Sequence, residues 1–174
     1  MYHCQTHIYL AGCAEKLFHI IKKAEPLAHF THTFTESKAV DKTLAAEADV
    51  IFADLCGWNV QEDVCAMIES KRGETQLILF ADKEQISLLT EYMDNIEDIW
   101  TTPMSDEEIG FRFRRWQKAY KDSKDAWQTN QFLEATINST PNLVWYKDKN
   151  GIHEKVNDSF CSTVNKTKEQ VEGR

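Results

Sequence analysis

Asp49-Val50-Ile51-Phe52-Ala53-Asp54-Leu55 is the stretch that decides the fold. Its apolar residues run without alternation, and Val, Ile and Phe favour an extended, pleated surface. A run of this length is a strand rather than a helix, and one buried on both faces. Such strands occur inside parallel sheets that carry helices on either side. Asp54 ends the run, at the edge where open α/β sheets collect functional groups.

Working outward toward the amino terminus, Ser37 to Ala48 reads as a helix, with Ser37 as N-cap and Val40, Leu44 and Ala48 on one face. His29 to Thr35 reads as a strand. Glu15 to Ala24 has Leu17, Ile20, Ile21 and Ala24 at helical spacing and is stopped by Pro26. Ile8 to Ala11 is the first strand. Toward the carboxyl terminus, Gln61 to Ser70 reads as a helix with Val64, Cys65 and Ile68 inward, closed by Arg72-Gly73. Gln76 to Ala81 is a strand, Glu84 to Met93 a helix burying Ile86, Leu89 and Met93, and Ile96 to Trp100 the last strand. Thr102-Pro103 is a turn, and Ser105 with Glu108 forms a capping box. These are βα units in series, so the expected class is α/β: a five-stranded, doubly wound parallel sheet.

From Asp106 the helical pattern continues to Ser139, just before Pro141, a length of roughly 50 Å. Ile109, Phe113, Trp116 and Tyr120 follow the 4-3-4 spacing of a coiled-coil seam. The same spacing suits a helix lying on its own sheet. Beyond Tyr120 the sheet should have ended, so aromatics there imply a partner helix. Phe113, Trp116, Tyr120 and Trp127 are therefore the candidate dimer or connector contacts. Arg112, Arg114, Arg115 and Lys118 read as a solvated face, with Glu108 and Arg112 paired at i,i+4.

After Pro141 the pattern changes. Leu143 to Lys147 is a strand, Asp148-Lys149-Asn150-Gly151 a hairpin turn, and Ile152 to Val156 its partner. Asn157-Asp158-Ser159 caps a short helix carrying Phe160 and Val164, and Thr167 to Val171 starts another. This part reads as α+β.

The chain has 174 residues and a net charge of −8, with 42% hydrophobic and 28% charged residues. An acidic chain repels phosphate backbones, so no nucleic-acid partner is expected. No apolar run reaches the ~18 residues that span a bilayer, so no membrane insertion is expected. Leu10-Ala11-Gly12-Cys13 matches a lipoprotein cleavage box, but Met1 to His7 supplies neither a basic leader nor an apolar region. The five cysteines are scattered and no CxxC occurs, which fits reduced thiols in the cytoplasm. Cys56 and Cys65, nine residues apart, are read as buried or idle thiols in preference to a disulfide or redox-sensing pair. Three N-x-S/T triplets, at Asn138, Asn157 and Asn165, are chance matches. His3, Cys4, His7 and Cys13 cluster without zinc spacing, as do His29 and His32, so no metal site is expected. His3 and His7 read as a frayed terminus. The first turn lacks a phosphate loop suited to a flavin.

Residues 1–104 resemble a response-regulator receiver domain. The match rests on Asp49 to Asp54, the strand into Ala81, and Thr102-Pro103. The resemblance implies a flavodoxin-like fold and makes Asp54 the phospho-acceptor position. It also implies an acidic pair after the first strand to hold Mg²⁺, where this chain has Gly12 and Cys13. The receiver's Thr or Ser aligns with Phe80, its Lys with Thr102, and its switch aromatic with Ile99. Only Asp54 and Pro103 remain, and moving the alignment by one residue, to Ala81, does not restore the site. The expectation is a degenerate receiver without cofactor, Asp54 being a strand-end acid. The alternative is a phosphorelay receiver phosphorylated on Asp54 with Mg²⁺. In either case the face from Glu84 to Met93, Ile96 to Trp100 and Glu107 to Tyr120 is the implied docking surface.

From about Trp127 the chain resembles the start of a PAS sensor domain. The matching residues are Phe132-Leu133-Glu134, Pro141, Val144 to Asp148, Gly151, Val156-Asn157, Phe160 and Thr167 to Gln170. Asn165 stands where that pattern has Gly, and Asn tolerates the same left-handed conformation. This PAS-like part, about 45 residues, is shorter than a self-sufficient domain, so the chain is expected to end inside it. Receiver–PAS pairings resemble the sensory front end of bacterial diguanylate cyclases or histidine kinases in two-component signal transduction. No cyclase or kinase motif lies in the chain, so it is expected to be non-enzymatic, with any output enzyme domain outside it. The expected organisation is a pseudo-receiver core at 1–104, a connector helix at 105–139 and an incomplete PAS start at 140–174. Expected partners are a second copy, as a homodimer, or another signalling protein. Small-molecule sensing by the PAS part is a further alternative, its ligand left open.

Overall fold

A computed structural model describes residues 2–174. Five strands form a parallel sheet: β1 (Cys4–Ala11), β2 (Phe30–Ser37), β3 (Val50–Asp54), β4 (Gln76–Ala81) and β5 (Asp98–Thr101). Their order is β2-β1-β3-β4-β5, the flavodoxin-like arrangement, with β3 in the centre. All five residues of β3 are buried, as its unbroken apolar run requires.

Side chains alternate across the sheet and build two cores. On one face Ile8, Leu10, Val50, Phe52, Ile78 and Phe80 meet Leu17, Phe18 and Ile21 of α1 (Glu15–Lys23) and Ile109, Phe113, Trp116 and Tyr120 of α5 (Asp106–Asn138). On the other, Tyr9, Ile51, Ala53, Leu77 and Leu79 meet Ala45 of α2 (Lys42–Glu47) and Val60, Val64 and Met67 of α3 (Val60–Ser70). Leu89 joins this second core from the segment after β4.

Several boundaries depart from the sequence expectations. β1 begins at Cys4 rather than Ile8 and pairs with β2 along its whole length, so His7 lies within the ladder opposite Thr33 and His3 stands just before it, not at a frayed end. His7 Nε2 lies 2.9 Å from Thr35 Oγ1. Ser37 does not cap a helix. It ends β2 opposite Ala11, and its hydroxyl is held 2.5 Å from Tyr9 Oη. The cap is Asp41, whose carboxylate accepts from Thr43 N at 2.9 Å and Leu44 N at 3.1 Å. In α3 it is Met67 that is fully buried, while Cys65 turns its thiol to Glu69.

The helix expected over Glu84 to Met93 is α-helical only over α4 (Lys83–Ile86) and then tightens into a 3-10 stretch, Ser87–Asn95. Hydroxyls bonding three residues back, Ser87 to Glu84 O at 2.8 Å and Thr90 to Ser87 O at 3.1 Å, accompany the tighter winding. Met93 turns outward and is 55% exposed. Ser105 accepts from Glu108 N as expected, at 3.2 Å, but Glu108 pairs with Arg112 at 3.2 Å.

The chain divides into two compact units, one ending at Lys121 and one spanning Asp122–Arg174, so the boundary falls within α5. The second unit holds an antiparallel hairpin, β6 (Trp145–Lys147) and β7 (His153–Val156), with α6 (Asp158–Val164) and α7 (Lys168–Val171). Its small core is Val156, Cys161 and Val171, with Phe160 against them. Asn157 organises it. The carboxamide oxygen accepts from Val144 N and Phe160 N, both at 3.0 Å. The carboxamide nitrogen donates to Ile137 O at 3.0 Å and Asn142 O at 2.8 Å. Asn165 adopts the left-handed conformation, φ +53°, and ends α6.

Candidate functional site

Asp54, Gly12, Cys13 and Cys56 meet at the carboxyl edge of the sheet, because β1 and β3 are adjacent and in register. Ala11 is paired with Ala53, so the next residue on each strand, Gly12 and Asp54, fall side by side. Gly12 has φ +115°, and a Cβ built there would sit 2.6 Å from Asp54 O and 2.9 Å from Asp54 Cβ. The turn after β1 therefore packs directly on Asp54, and only glycine fits.

Asp54 is buried at 7% exposure. Cys56 N donates to Asp54 Oδ1 at 3.2 Å. Burial pushes the Asp54 carboxyl above its ordinary range, opposed by the N–H groups of Cys56 and Cys13. The carboxylate is thus held by its own neighbouring backbone. Beyond it, Gln85 Nε2 donates to Leu55 O at 2.9 Å and so ties the loop after β3 to α4.

The other degenerate-site positions occupy the same edge. Phe80 is paired with Asp54 in register, but its ring is in the core, 6.0 Å from that of Phe52 and 5.3 Å from that of Trp100. Thr102 is half-buried and donates its N–H to Ala81 O at 2.9 Å; Pro103 follows through a cis peptide bond. Cys13 and Pro103 line one depression of about 430 Å³ together with Lys16 and Asp106, which are themselves paired at 2.7 Å. Among the described residues no group of three or more His, Cys, Asp or Glu is placed to hold a metal ion.

The candidate contacts on α5 separate into two kinds. Phe113, Trp116 and Tyr120 are 0%, 8% and 6% exposed. They pack on Phe30 and Phe52, and Trp116 Nε1 donates to Gln76 Oε1 at 2.9 Å. These three are core residues of the sheet, and the expectation that they contact a partner is corrected. Trp127 is 62% exposed. The exposed surface of the implied docking face is instead a groove of about 670 Å³ in the first unit. Glu97, Asp98 and Glu108 line it with Arg112, Arg115 and the outward-facing Phe111.

Two features escaped the sequence reading. His32 is set in an aromatic box, its ring centre 4.3 Å from that of Phe30 and 5.9 Å from those of Phe113 and Trp116. Both ring nitrogens are buried without a hydrogen-bond partner among the described residues, and burial lowers the imidazole pKa from 6.5 to about 4. Strand alternation in His29 to Thr35 placed His32 on the Phe30 face, which was the available signal. The other is the exposure of Cys56, expected as a buried or idle thiol and found at the surface two residues beyond the strand-end acid.

No protein-family model matches the chain, and no curated protein matches it. Solved structures similar to it include two pilus assembly proteins. One is a pilus assembly protein CpaE from Caulobacter crescentus CB15, 8% identical, with a TM-score of 0.47 over 65% of this chain and 94% of that one. The other is a putative CpaE2 pilus assembly protein from Sinorhizobium meliloti 1021, 10% identical, with a TM-score of 0.45 over 63% of this chain and 98% of that one. Among the described residues no helix is long and apolar enough to cross a membrane.

Proposed function

We propose that the chain is a non-catalytic signalling module of a bacterial sensory protein. Its first unit is a pseudo-receiver that acts by contact, without phosphorylation, and its second is the start of a PAS domain joined to it through α5. The observation that carries this reading is the packing of Gly12 on Asp54. Phosphorylating an aspartate needs a divalent cation to neutralise developing charge, and Mg²⁺ takes hard oxygen ligands. The residue beside Asp54 cannot carry a carboxylate, since its Cβ would fall 2.6 Å from a backbone oxygen. Phe80, turned into the core, offers no hydroxyl at the end of β4.

Contact then falls to the surface, and the mixed-charge groove around Phe111 and Arg115 suits a protein partner, including a second copy. An exposed aromatic flanked by arginines is the residue chemistry of interface anchors. The output of the longer sensory protein, a diguanylate cyclase in this reading, lies outside these residues.

The test is an NMR titration of the 174-residue chain with beryllofluoride and Mg²⁺, using Asp54→Asn as control. No saturable shift near Asp54 is expected. Saturable shifts at Asp54 that vanish in the variant would replace this reading with that of a phosphorylated receiver.

A further inference from the structure

β2 forms one edge of the five-stranded sheet, and its outer side is bare. Cys4 N donates to His29 O at 2.8 Å, and Gly12 N donates to Ser37 O at 2.9 Å. Backbone groups alternate in direction along a strand, so the odd-numbered residues of β2 turn their N–H and C=O toward β1. Those of Phe30, His32, Phe34 and Glu36 therefore turn outward. Phe30 N is taken by Leu27 O at 3.0 Å. Among the described residues nothing bonds the N–H or C=O of His32, Phe34 or Glu36 on that side. Natural sheets blunt such an edge with lysine, proline, a bulge or a short strand. β5, at the other edge, is four residues long and starts at Asp98. β2 has eight residues, Phe-Thr-His-Thr-Phe-Thr-Glu-Ser, without lysine or proline, and it keeps register with β1 throughout.

This edge is complementary to itself. An antiparallel partner must set outward-turned residues opposite outward-turned residues. A two-fold axis at Thr33 does so for the whole strand: Phe30 meets Glu36 of the second copy, and His32 meets its Phe34. An axis at His32 or at Phe34 leaves an outward residue with no counterpart inside the strand. On the other face the axis at Thr33 sets Thr33 opposite Thr33 and Thr31 opposite Thr35. Threonine pairs and aromatic pairs of this kind stabilise neighbouring strands. Thr31 and Thr33 are exposed. The only carboxylate of the strand, Glu36, falls opposite Phe30 and not opposite its own copy, and Lys22 of its own chain already pairs with it. No like charges meet across the axis.

We propose that the first unit binds a second copy of this chain edge to edge, β2 antiparallel to β2 about Thr33, so that the two sheets become one continuous sheet. About six N–H···O bonds then cross between the chains, since Phe30 N is already engaged. The inference rests on the reading of this unit as a contact module and names its partner. It leaves the groove around Phe111, which is lined by Ile78, Glu97 and Asp98 of β4 and the β5 region, open for a further contact.

The test places a thiol on the axis. Residues that face each other in a non-hydrogen-bonded antiparallel pair have Cα atoms about 4.5 Å apart, inside the range of a disulfide. The 174-residue chain carrying Thr33→Cys, mildly oxidised, should run as a covalent dimer on a denaturing gel without reductant. Mass spectrometry of the unreduced digest should show position 33 joined to position 33. Thr31→Cys should give no link between two copies of position 31, whereas Thr31→Cys combined with Thr35→Cys should join 31 to 35. In sedimentation velocity the parent should be a dimer. Thr33→Lys sets two ammonium groups face to face and should weaken association at least about tenfold. Position 33 is exposed, and circular dichroism checks that the variants fold. The 33–33 link should persist when Phe111→Asp is added. A monomeric parent, a Thr33→Lys chain that associates as the parent does, no 33–33 peptide, or a link lost with Phe111→Asp would each overturn the proposal. The beryllofluoride titration decides phosphorylation separately, so the two readings fail by different results.

Discussion

At Gly12 a single missing side chain decides what the sheet edge can do. Gly12→Asp, which would install one carboxylate of the acidic pair that the receiver resemblance implies, forces a Cβ against Asp54 and a non-glycine residue to φ +115°. A cost of at least about 1–3 kcal/mol is expected from the backbone alone. Thermal unfolding should show a lower Tm, and Mg²⁺ binding should not appear in the same variant. His32 acts at the same scale on pH dependence. The folded state keeps the imidazole neutral down to about pH 4, whereas the unfolded chain takes its proton near 6.5. As pH falls below 6.5 the unfolded state binds the extra proton and stability declines, until the loss is complete below about 4. His32→Leu should flatten that decline by about 1–2 kcal/mol, a figure discounted for the solvent reaching the ring edge. Urea unfolding across pH 3.5–7 (range set by the two ~pKa limits) checks it.

At the scale of elements, α5 shows how far pattern alone reaches. The 4-3-4 spacing of Ile109, Phe113, Trp116 and Tyr120 belongs equally to a helix–helix seam and to a helix on a sheet. Only the surroundings, Phe30 and Phe52 beneath it, separate the two. Phe113→Ala should therefore destabilise the first unit by about 3–5 kcal/mol, seen as a lower urea midpoint, whether or not the chain self-associates. Charging Trp116 or Tyr120 would unfold the unit and so says nothing about a dimer. The informative substitution is Phe111→Asp, which sits 63% exposed. It should leave stability within about 0.5 kcal/mol and weaken association in sedimentation velocity. The strands were legible because their apolar runs are continuous, as in β3 and β4. The helix after β2 was misplaced because Ser37 and Asp41 both have N-cap chemistry, and Ser37 is taken by Tyr9 from across the ladder. The Asp54 edge was legible through the resemblance to receivers, which implies an acidic pair where the chain has Gly12 and Cys13. The contact of Gly12 with Asp54, which leaves no room for a carboxylate there, depends on strand register and could not be read from spacing.

The whole molecule is two units of unequal strength. The first buries two cores about one sheet; the second relies on three core residues, on Asn157, and on Glu134 gripped by two lysines. Glu134 bonds Lys168 at 2.6 Å and also Lys155, and these two hold its carboxyl below the ordinary 4.5. The stabilisation is present above that ordinary value and disappears as pH falls through the lower, folded one. Glu134→Gln should loosen the second unit at neutral pH, with the difference from the parent closing in acid. Hydrogen exchange of the 153–156 amides would report it.

The placement of the tryptophans gives the molecule its own optical reporters. Trp100 and Trp116 are 1% and 8% exposed in the first unit; Trp127 and Trp145 are 62% and 53% exposed in the second. Indoles in an apolar setting emit to the blue of indoles in water. The red shift on melting therefore belongs to the first unit, while quenching by iodide from the outset comes chiefly from the second, with a smaller share from the half-buried Trp58 of the first. Loss of order in the first unit can therefore be followed by its colour, without a label.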